Sequence, residues 1–199
     1  MRTGISTACL YPLELERSVQ TLLSLDFRLF EVFLNTFSEF TPDYLRQLRN
    51  VADAYGAEIK SVHPFTSGYE GFLLFSEYER RFEDSLEFYK QYFDAANCLG
   101  ASIVVLHGQR DYANAGISEE TYFERYAALY ALGQRYGVTV AQENVNKFRS
   151  ESPGFLRRMR AYLGDTCAFV IDLKQAVRAG QDPFAVCEAM GERIVHVHI

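Results

Sequence analysis

The chain has 199 residues, of which 48% are hydrophobic and 23% are charged, enough for one substantial apolar core. Its formal net charge of -6 does not supply the broad basic surface that binds duplex DNA or anionic membranes. No apolar run reaches the roughly 18 residues of a membrane span, and the start of the chain lacks the order of a secretory signal. We therefore predict a cytoplasmic protein that acts on a small molecule, with no nucleic-acid or membrane partner.

Short apolar runs alternate along the chain with longer segments of helical period, which is the pattern of repeated β/α units. The predicted strands lie near residues 3–8, 28–34, 58–63, 102–107, 138–143, 168–172 and 194–199. The predicted helices lie near residues 12–24, 42–55, 76–99, 119–136, 153–163 and 183–190. The third helix has the clearest apolar stripe, formed by Phe82, Leu86, Tyr89, Phe93 and Ala96.

Glycines and capping residues mark the boundaries of these elements. Five glycines close helical stretches just before strands, where the left-handed conformation ends a helix at no side-chain cost: Gly56, Gly100, Gly137, Gly164 and Gly191. Helix starts are predicted where a capping residue precedes proline or acid, at Thr41, Ser118, Ser152 and Asp182. The continuous apolar strands IVVLH and AFVID indicate a parallel sheet that is covered on both faces.

Two α/β architectures fit this order of elements, an open doubly wound sheet and a (β/α)8 barrel. The first strand has TGISTACLYP where a G-x-G-x-x-G motif would support the dinucleotide-binding open sheet. Seven units in 199 residues, extended by one more, approach the roughly 250 residues typical of the barrel. We therefore predict an α/β fold, a (β/α)8 TIM barrel. It is expected to form a single domain over residues 1–199 that is C-terminally incomplete and ends after strand seven.

Six ionisable residues stand at or near the carboxyl ends of five consecutive predicted strands: His63, His107, Glu143, Asp172, His196 and His198. In a barrel these ends converge on one mouth, where active sites lie. Burying such groups together costs several kcal/mol unless a cation or hydrogen bonds compensate. Each residue taken alone more often serves as a cap, a loop anchor or a hydrogen-bonded wall residue. Together they predict a metal site, and imidazole with carboxylate suits Zn, Mn, Co or Fe better than Ca.

Two of these histidines lie on the last predicted strand. His196 and His198 are two residues apart, so their side chains face the same side of the strand and both can point into the barrel. His198 is nearer the tip and is the better ligand candidate. His196, below it, is expected to support the site or to contact the substrate.

Five motifs in this order, SVHPF, VVLHG, VAQEN, FVIDLKQA and IVHVHI, resemble the xylose isomerase-like TIM barrels. This superfamily contains sugar phosphate isomerases and epimerases and the endonuclease IV-type DNA repair enzymes, and the resemblance covers essentially the whole chain. It implies one divalent metal ion, Mn, Zn, Co or Mg, held by Glu143, Asp172 and His198. The fourth ligand in the family's epimerases is a glutamate on strand eight, which would lie beyond Ile199.

The resemblance implies a metal-dependent isomerase or epimerase of a sugar or sugar phosphate, which removes a proton next to a carbonyl. The cation would stabilise the enediolate that forms, and Glu143 is the candidate for the base as well as a ligand. The first alternative is an endonuclease IV-like zinc phosphodiesterase, in which Gln175 would replace a histidine ligand by an amide, a poor zinc ligand. The second alternative is a catalytically silent barrel that only binds.

Further residues near the strand ends are candidates for substrate contacts: Glu31, His63, His107, Lys174, Gln175 and His196. Glu31 fits contact with sugar hydroxyls and a buried salt bridge equally well. Lys174 fits an anionic substrate group or simple exposure to solvent. The segment PFTSGYEGFLLFS after His63 fits a lid over the mouth or packing against the third helix. The substrate is expected to be a carbohydrate, and assembly into a homo-oligomer stays open.

Overall fold

Seven parallel strands form one curled sheet in which the order of the strands is their order in the chain. The structure is a computed structural model that describes residues 2–110 and 116–199. Its strands are β1 (Ile5–Ser6), β2 (Leu29–Phe33), β3 (Glu58–His63), β4 (Ile103–Leu106), β5 (Thr139–Glu143), β6 (Phe169–Asp172) and β7 (Ile194–His198). Its α-helices are α1 (Leu15–Ser24), α2 (Pro42–Ala54), α3 (Glu79–Leu99), α4 (Glu119–Arg135), α5 (Pro153–Leu163), α6 (Leu173–Arg178) and α7 (Pro183–Met190). The predicted barrel architecture is confirmed, with β1 and β7 at the two ends of the sheet.

Apart from shifts of a few residues at their ends, the observed elements differ from the predicted ones at two places. β1 has two residues instead of the predicted span of 3–8, because a 3-10 helix, Thr7–Leu10, begins directly after it. α6 is absent from the six predicted helices, because its six residues, LKQAVR, are too few to show a helical period. This short helix is capped by Asp172, whose carboxylate accepts a hydrogen bond from the backbone N–H of Gln175.

Most of the predicted boundary signals are found in the structure. The five glycines that precede strands have positive φ, between 56° and 74°. Gly100 has the left-handed conformation expected of a helix cap, whereas Gly164 and Gly191 have ψ of -120° and -141° and end their helices in another conformation that also requires positive φ. The side chains of Ser118, Ser152 and Asp182 accept hydrogen bonds from backbone N–H groups in the first turns of α4, α5 and α7. Thr41 makes no such bond, and α2 begins instead with Pro42 in its first turn.

The apolar core has two layers, one on each face of the sheet. A large cluster joins the outer face of the strands to the helices and includes Val104, Val140, Phe169, Tyr89 and Tyr126. A smaller cluster lies on the inner face and consists mainly of Ile103, Val105, Ala141, Ala168 and Val170. Because side chains alternate between faces along a strand, the next inward positions above this small layer are His107, Glu143 and Asp172. No helix of the described residues is long and apolar enough to cross a membrane.

A register shift between β6 and β7 determines which side of the sheet the last two histidines face. Phe169 opposes Ile194, but the next residue, Val170, opposes His196, so that Val195 is an extra residue in β7. Such a bulge moves the following residues by one position and therefore to the other face. It places His196 on the inner face beside Val170.

A second register shift, between β2 and β3, acts in the same way. Phe30 opposes Ile59, but Glu31 opposes Ser61, so that Lys60 is an extra residue in β3. Phe30 and Ile59 belong to the cluster on the helix side of the sheet. The shift therefore brings Glu31 and Ser61 next to each other on the inner face.

The segment between β3 and α3 packs against the body of the protein. The Phe65 ring contacts Tyr92 of α3 with centroids 6.4 Å apart, and Phe75 stacks on Tyr122 of α4 at 3.9 Å. Tyr69, in contrast, is exposed. Of the two predictions for this segment, the contacts favour packing against the third helix.

Glu70 is a buried carboxylate within this segment and is 1% exposed. Its Oε1 accepts a hydrogen bond of 2.8 Å from Tyr89 Oη, and its Oε2 accepts one from the backbone N–H of Gly108. Burial raises the pKa of Glu70 from 4.5 to about 8 and outweighs these hydrogen bonds, which lower it. At neutral pH the folded protein therefore keeps this carboxyl group protonated.

We predict that the Glu70→Gln variant gains stability relative to the wild type as the pH rises from 4.5 to about 8. In this window the unfolded chain releases the Glu70 proton and the folded protein holds it, so the wild-type free energy of unfolding falls with rising pH. Glutamine has no proton to release. Urea unfolding at both ends of the window measures the difference, with Glu83→Gln at an exposed carboxylate as the control. An equal difference at both pH values would contradict the prediction.

Candidate functional site

Seven ionisable side chains from β2 to β7 and the loop after β4 meet at the mouth of the curled sheet. We call them the polar cluster: Glu31, His63, His107, Glu143, Asp172, His196 and His198. Glu143, at the end of β5, lies at its centre and is 3% exposed. Its Oε1 is 2.9 Å from His198 Nδ1, and its Oε2 is 2.8 Å from His107 Nε2. The strand-end residues singled out in the sequence therefore lie together in the structure.

His63 and His107 form a close imidazole pair beside Glu143. Their Nε2 atoms are 2.9 Å apart, so one nitrogen donates a hydrogen bond and the other accepts it. The His63 ring stacks on Phe33 with centroids 4.8 Å apart, and the His107 ring contacts Phe148 edge to face at 5.8 Å. Aromatic side chains thus hold both rings in place.

Asp172, at the end of β6, is fixed beside His198 by hydrogen bonds to its own backbone and carboxylate. Its backbone N–H donates to Asn144 Oδ1 at 2.7 Å, and Asn144 Nδ2 donates to its carbonyl oxygen at 2.9 Å. Its Oδ1 accepts from the Gln175 backbone N–H at 2.6 Å, and its Oδ2 is 3.9 Å from His198 Nδ1. One carboxylate oxygen therefore caps α6 while the other faces the polar cluster.

Glu31, on β2, reaches His198 from the opposite side of the ring. Its Oε2 is 3.0 Å from His198 Nε2 and accepts a hydrogen bond of 2.9 Å from Ser61 Oγ. His196 Nε2 lies 3.8 Å from the same oxygen and 3.5 Å from Ser61 Oγ. The His198 ring therefore stands between two carboxylates, Glu143 at Nδ1 and Glu31 at Nε2.

The charges of the polar cluster follow from this arrangement. Burial acts to raise the pKa of Glu143, but the three surrounding imidazoles outweigh burial and hold the pKa well below 4.5. Burial acts to lower the pKa of His198, but the two flanking glutamates raise it to about 10. For Asp172, burial is the largest cause and raises the pKa. Burial also acts to raise the pKa of Glu31, but His198 lowers it to about 2, so at neutral pH a protonated His198 lies between two ionised glutamates.

Three groups within the polar cluster have the geometry to hold a cation, because the ligand atoms in each lie within 4.8 Å of one another. They are Glu143 with Asp172 and His198, Glu143 with His63 and His107, and Glu31 with His196 and His198.

One oxygen of the polar cluster lacks the partner that a buried carboxylate oxygen normally has. Glu143 Oε2 is buried and accepts no hydrogen bond of good geometry, although His107 Nε2 is near it. A cation satisfies such an oxygen, and carboxylate with imidazole is a donor set for Zn²⁺, Mn²⁺ and Co²⁺. The residues present therefore fit a divalent cation.

Lys174 and Gln175 lie in the first turn of α6, after the end of β6. Lys174 is exposed, and Gln175 is half-buried. The Gln175 side chain accepts a hydrogen bond of 3.3 Å from the Asn146 backbone N–H and so links the loop after β5 to α6. Contact of either side chain with a substrate stays a prediction.

The structure adds supporting residues that the sequence analysis does not single out. Gln142 Nε2 donates to the carbonyl oxygen of His107 at 2.9 Å, and its Oε1 accepts from Tyr122 Oη at 2.6 Å. This side chain ties the end of β5 to the loop that carries His107. Ser61 donates to the carboxylate of Glu31, and Asn144 forms hydrogen bonds with the backbone of Asp172. The polar run in VAQEN is a signal that could have identified Gln142 and Asn144 as members of the site.

The sequence matches the family model described as xylose isomerase-like TIM barrel over residues 19–199. The chain belongs to this family. The matched range contains β2 to β7 and every residue of the polar cluster. No curated protein matches the sequence significantly.

Solved structures of other proteins share the fold at low sequence identity. A D-tagatose 3-epimerase-like protein has a TM-score of 0.80 and 20% identity, with coverage of 100% of this chain and 76% of that one. D-psicose 3-epimerase in the presence of D-fructose has a TM-score of 0.80 and 13% identity, with coverage of 100% and 72%. A probable 3-DHS dehydratase from Bacillus anthracis has a TM-score of 0.75 and 15% identity, with coverage of 100% and 73%. Proteins that share this fold are thus named for more than one reaction, epimerisation and dehydration.

We predict that the affinity of the protein for Mn²⁺ rises with pH through the neutral range, well below the raised pKa of His198. His198, whose pKa is raised to about 10, carries a proton below that pH, and a cation can bind Nδ1 only after the nitrogen loses it. Calorimetric titration in buffers of different ionisation enthalpy measures both the affinity and the protons released. The His198→Asn variant is the control and is expected to bind weakly without this proton release. An affinity independent of pH in the wild type would show that His198 is not a ligand.

Proposed function

We propose that the protein is a metal-dependent epimerase or isomerase of a sugar or sugar phosphate. The observation that carries the proposal is the group formed by Glu143, Asp172 and His198, whose possible ligand atoms lie within 4.8 Å of one another. D-psicose 3-epimerase and the D-tagatose 3-epimerase-like protein share the fold, which supports carbohydrate chemistry. The proposed cation is Mn, Zn, Co or Mg.

The residues of this group take different parts in the proposed reaction. A bound cation would supply positive charge to stabilise the negative charge that develops on substrate oxygens. Glu143 is ionised at neutral pH because the imidazoles hold its pKa low, so it is able to take a proton from carbon next to a carbonyl. Asp172 is held by its hydrogen bonds to Asn144 and Gln175 before any substrate binds, which limits the reorganisation that the reaction requires.

The imidazole pair and its aromatic neighbours are proposed to form the wall that meets the sugar. His63 and His107 offer ring nitrogens for hydrogen bonds to hydroxyl groups, and the side chain of His107 is 20% exposed. Phe33 and Phe148 shield the two rings from water. Lys174 is the candidate for an anionic group such as the phosphate of a sugar phosphate.

Glu31, His196 and Gln175 complete the proposed set of substrate contacts. Glu31 and His196 lie on the opposite side of His198 from Glu143, so they would meet a different part of the substrate.

We also propose a cytoplasmic protein with one barrel domain over residues 1–199, acting on a carbohydrate without nucleic-acid or membrane partners.

An endonuclease IV-like phosphodiesterase is the second candidate. The group of His63, His107 and Glu143 favours it, because a second cation there would share Glu143 with the first. The net charge of -6 counts against it, and so does the engagement of Gln175 in the loop after β5. A catalytically silent barrel is the third candidate and would require neither metal nor turnover.

We predict that Glu143→Gln abolishes turnover and leaves the fold intact. The amide keeps the shape of the carboxylate but loses the charge that takes the proton and binds the cation. Turnover is measured on a panel of ketoses and ketose phosphates, metal content by mass spectrometry, and the fold by circular dichroism. Glu39→Gln, at another buried carboxylate remote in sequence, is the matched control and is expected to keep both turnover and metal.

Three other outcomes would change the assignment. Unchanged turnover and metal content in Glu143→Gln would remove this residue from the site. Cleavage of abasic DNA by the wild type without ketose turnover would establish the phosphodiesterase. Wild-type protein that binds no metal and turns over neither substrate would support the silent barrel.

A further inference from the structure

The two ring nitrogens of His198 face different carboxylates. Nδ1 points to Glu143 Oε1 at 2.9 Å and to Asp172 Oδ2 at 3.9 Å. Nε2 points to Glu31 Oε2 at 3.0 Å, on the far side of the ring. The Nδ1 side of the ring therefore faces the proposed cation. On the Nε2 side, Glu31 is the carboxylate within hydrogen-bond distance.

A neutral imidazole carries its single proton on one nitrogen and has a lone pair on the other. A cation needs the lone pair, so the nitrogen that faces it must be the unprotonated one. The hydrogen-bond partner of the N–H group determines which nitrogen carries the proton. When that partner is a carboxylate, it also orients the ring and makes the other nitrogen a stronger ligand.

We propose that Glu31 is a positioning residue that holds the His198 proton on Nε2, so that Nδ1 presents its lone pair to a cation shared with Glu143 and Asp172. This inference rests on the proposed metal-dependent function. Glu31 is well placed for the role because it is 8% exposed and its Oε2 is fixed by the Ser61 hydroxyl at 2.9 Å. Its carboxylate thus acts through His198, in addition to the substrate contact proposed above.

The same carboxylate is also near enough to be a ligand itself. Glu31, His196 and His198 form one of the three groups with ligand geometry, and a cation there would use His198 Nε2. Nε2 of a neutral His198 ring cannot bind this cation and also donate a hydrogen bond to Glu31, because a nitrogen that carries a proton has no free lone pair. Nδ1 faces two carboxylates and Nε2 faces one, which favours a cation at Nδ1 and the positioning role for Glu31. The number of bound ions separates the two roles.

The test uses the full chain with Glu31→Gln and Glu31→Ala. Titration with Mn²⁺ gives affinity and stoichiometry, and ¹⁵N NMR of the Zn²⁺-loaded protein reports which His198 nitrogen carries the proton. We expect metal binding to weaken by roughly tenfold to a hundredfold, as for the loss of other carboxylate partners of metal-bound histidine. Glutamine, which still offers an acceptor oxygen, is expected to weaken binding less than alanine and to keep more of the Nε2-protonated form.

Two controls separate this role from general destabilisation. Glu39→Gln removes a carboxylate that is also 8% exposed and is expected to leave metal affinity unchanged. Ser61→Ala removes the hydroxyl that fixes Glu31 and is expected to weaken binding less than Glu31→Gln. Circular dichroism checks the fold of each variant, and Glu31→Gln decides the test if Glu31→Ala does not fold.

The failure of the inference differs from the failure of the proposed function. If the wild-type protein binds neither Mn²⁺ nor Zn²⁺, the proposed function is overturned, and the inference with it. Wild-type protein that binds metal, with the same affinity and the same His198 tautomer in Glu31→Gln, overturns the inference alone. A wild type that binds one more ion than Glu31→Gln makes Glu31 a ligand and overturns the positioning role.

Discussion

The polar cluster depends on the sharing of one buried carboxylate, Glu143, among imidazoles from three other parts of the sheet. A carboxylate removed from water is costly unless neighbouring groups compensate for its lost hydration. Here His63, His107 and His198 compensate. Burial acts to lower the pKa of all three, but Glu143 and Glu31 raise the pKa of His63 and of His198, whereas the pKa of His107 stays lowered. None of them is close to Glu143 in the sequence, so the charge balance exists only once the sheet has curled and its strands are in register.

Much of the fold can be predicted from local signals because each β/α unit carries its own. Gly100, with φ of 74°, ends α3 directly before the apolar run of β4, and Ser118 caps the start of α4. Where such signals are weak the prediction fails. β1 is too short to show an alternating pattern, and α6 is missed because it has six residues and its cap, Asp172, is predicted only as a ligand.

The sequence predicts which residues belong to the polar cluster better than it predicts which of them contact one another. Strand ends converge in a parallel barrel, so the sequence indicates that His198 and Glu143 lie at one mouth. It does not indicate that Glu31, 167 residues away, faces the other nitrogen of the same ring. That contact depends on register and on the curvature of the whole sheet. The supporting role of Gln142 is hidden for the same reason, since its partners come from the loop after β4 and from α4.

The two register shifts have a consequence for how this protein can change through evolution. A substitution at a strand end alters one side chain, whereas the gain or loss of one residue early in β7 would rotate His196 and His198 together toward the helices. The extra residues, Lys60 and Val195, achieve their effect through the spacing they add and not through their chemistry. Insertions and deletions at these two positions should therefore be tolerated far less than amino-acid replacements there.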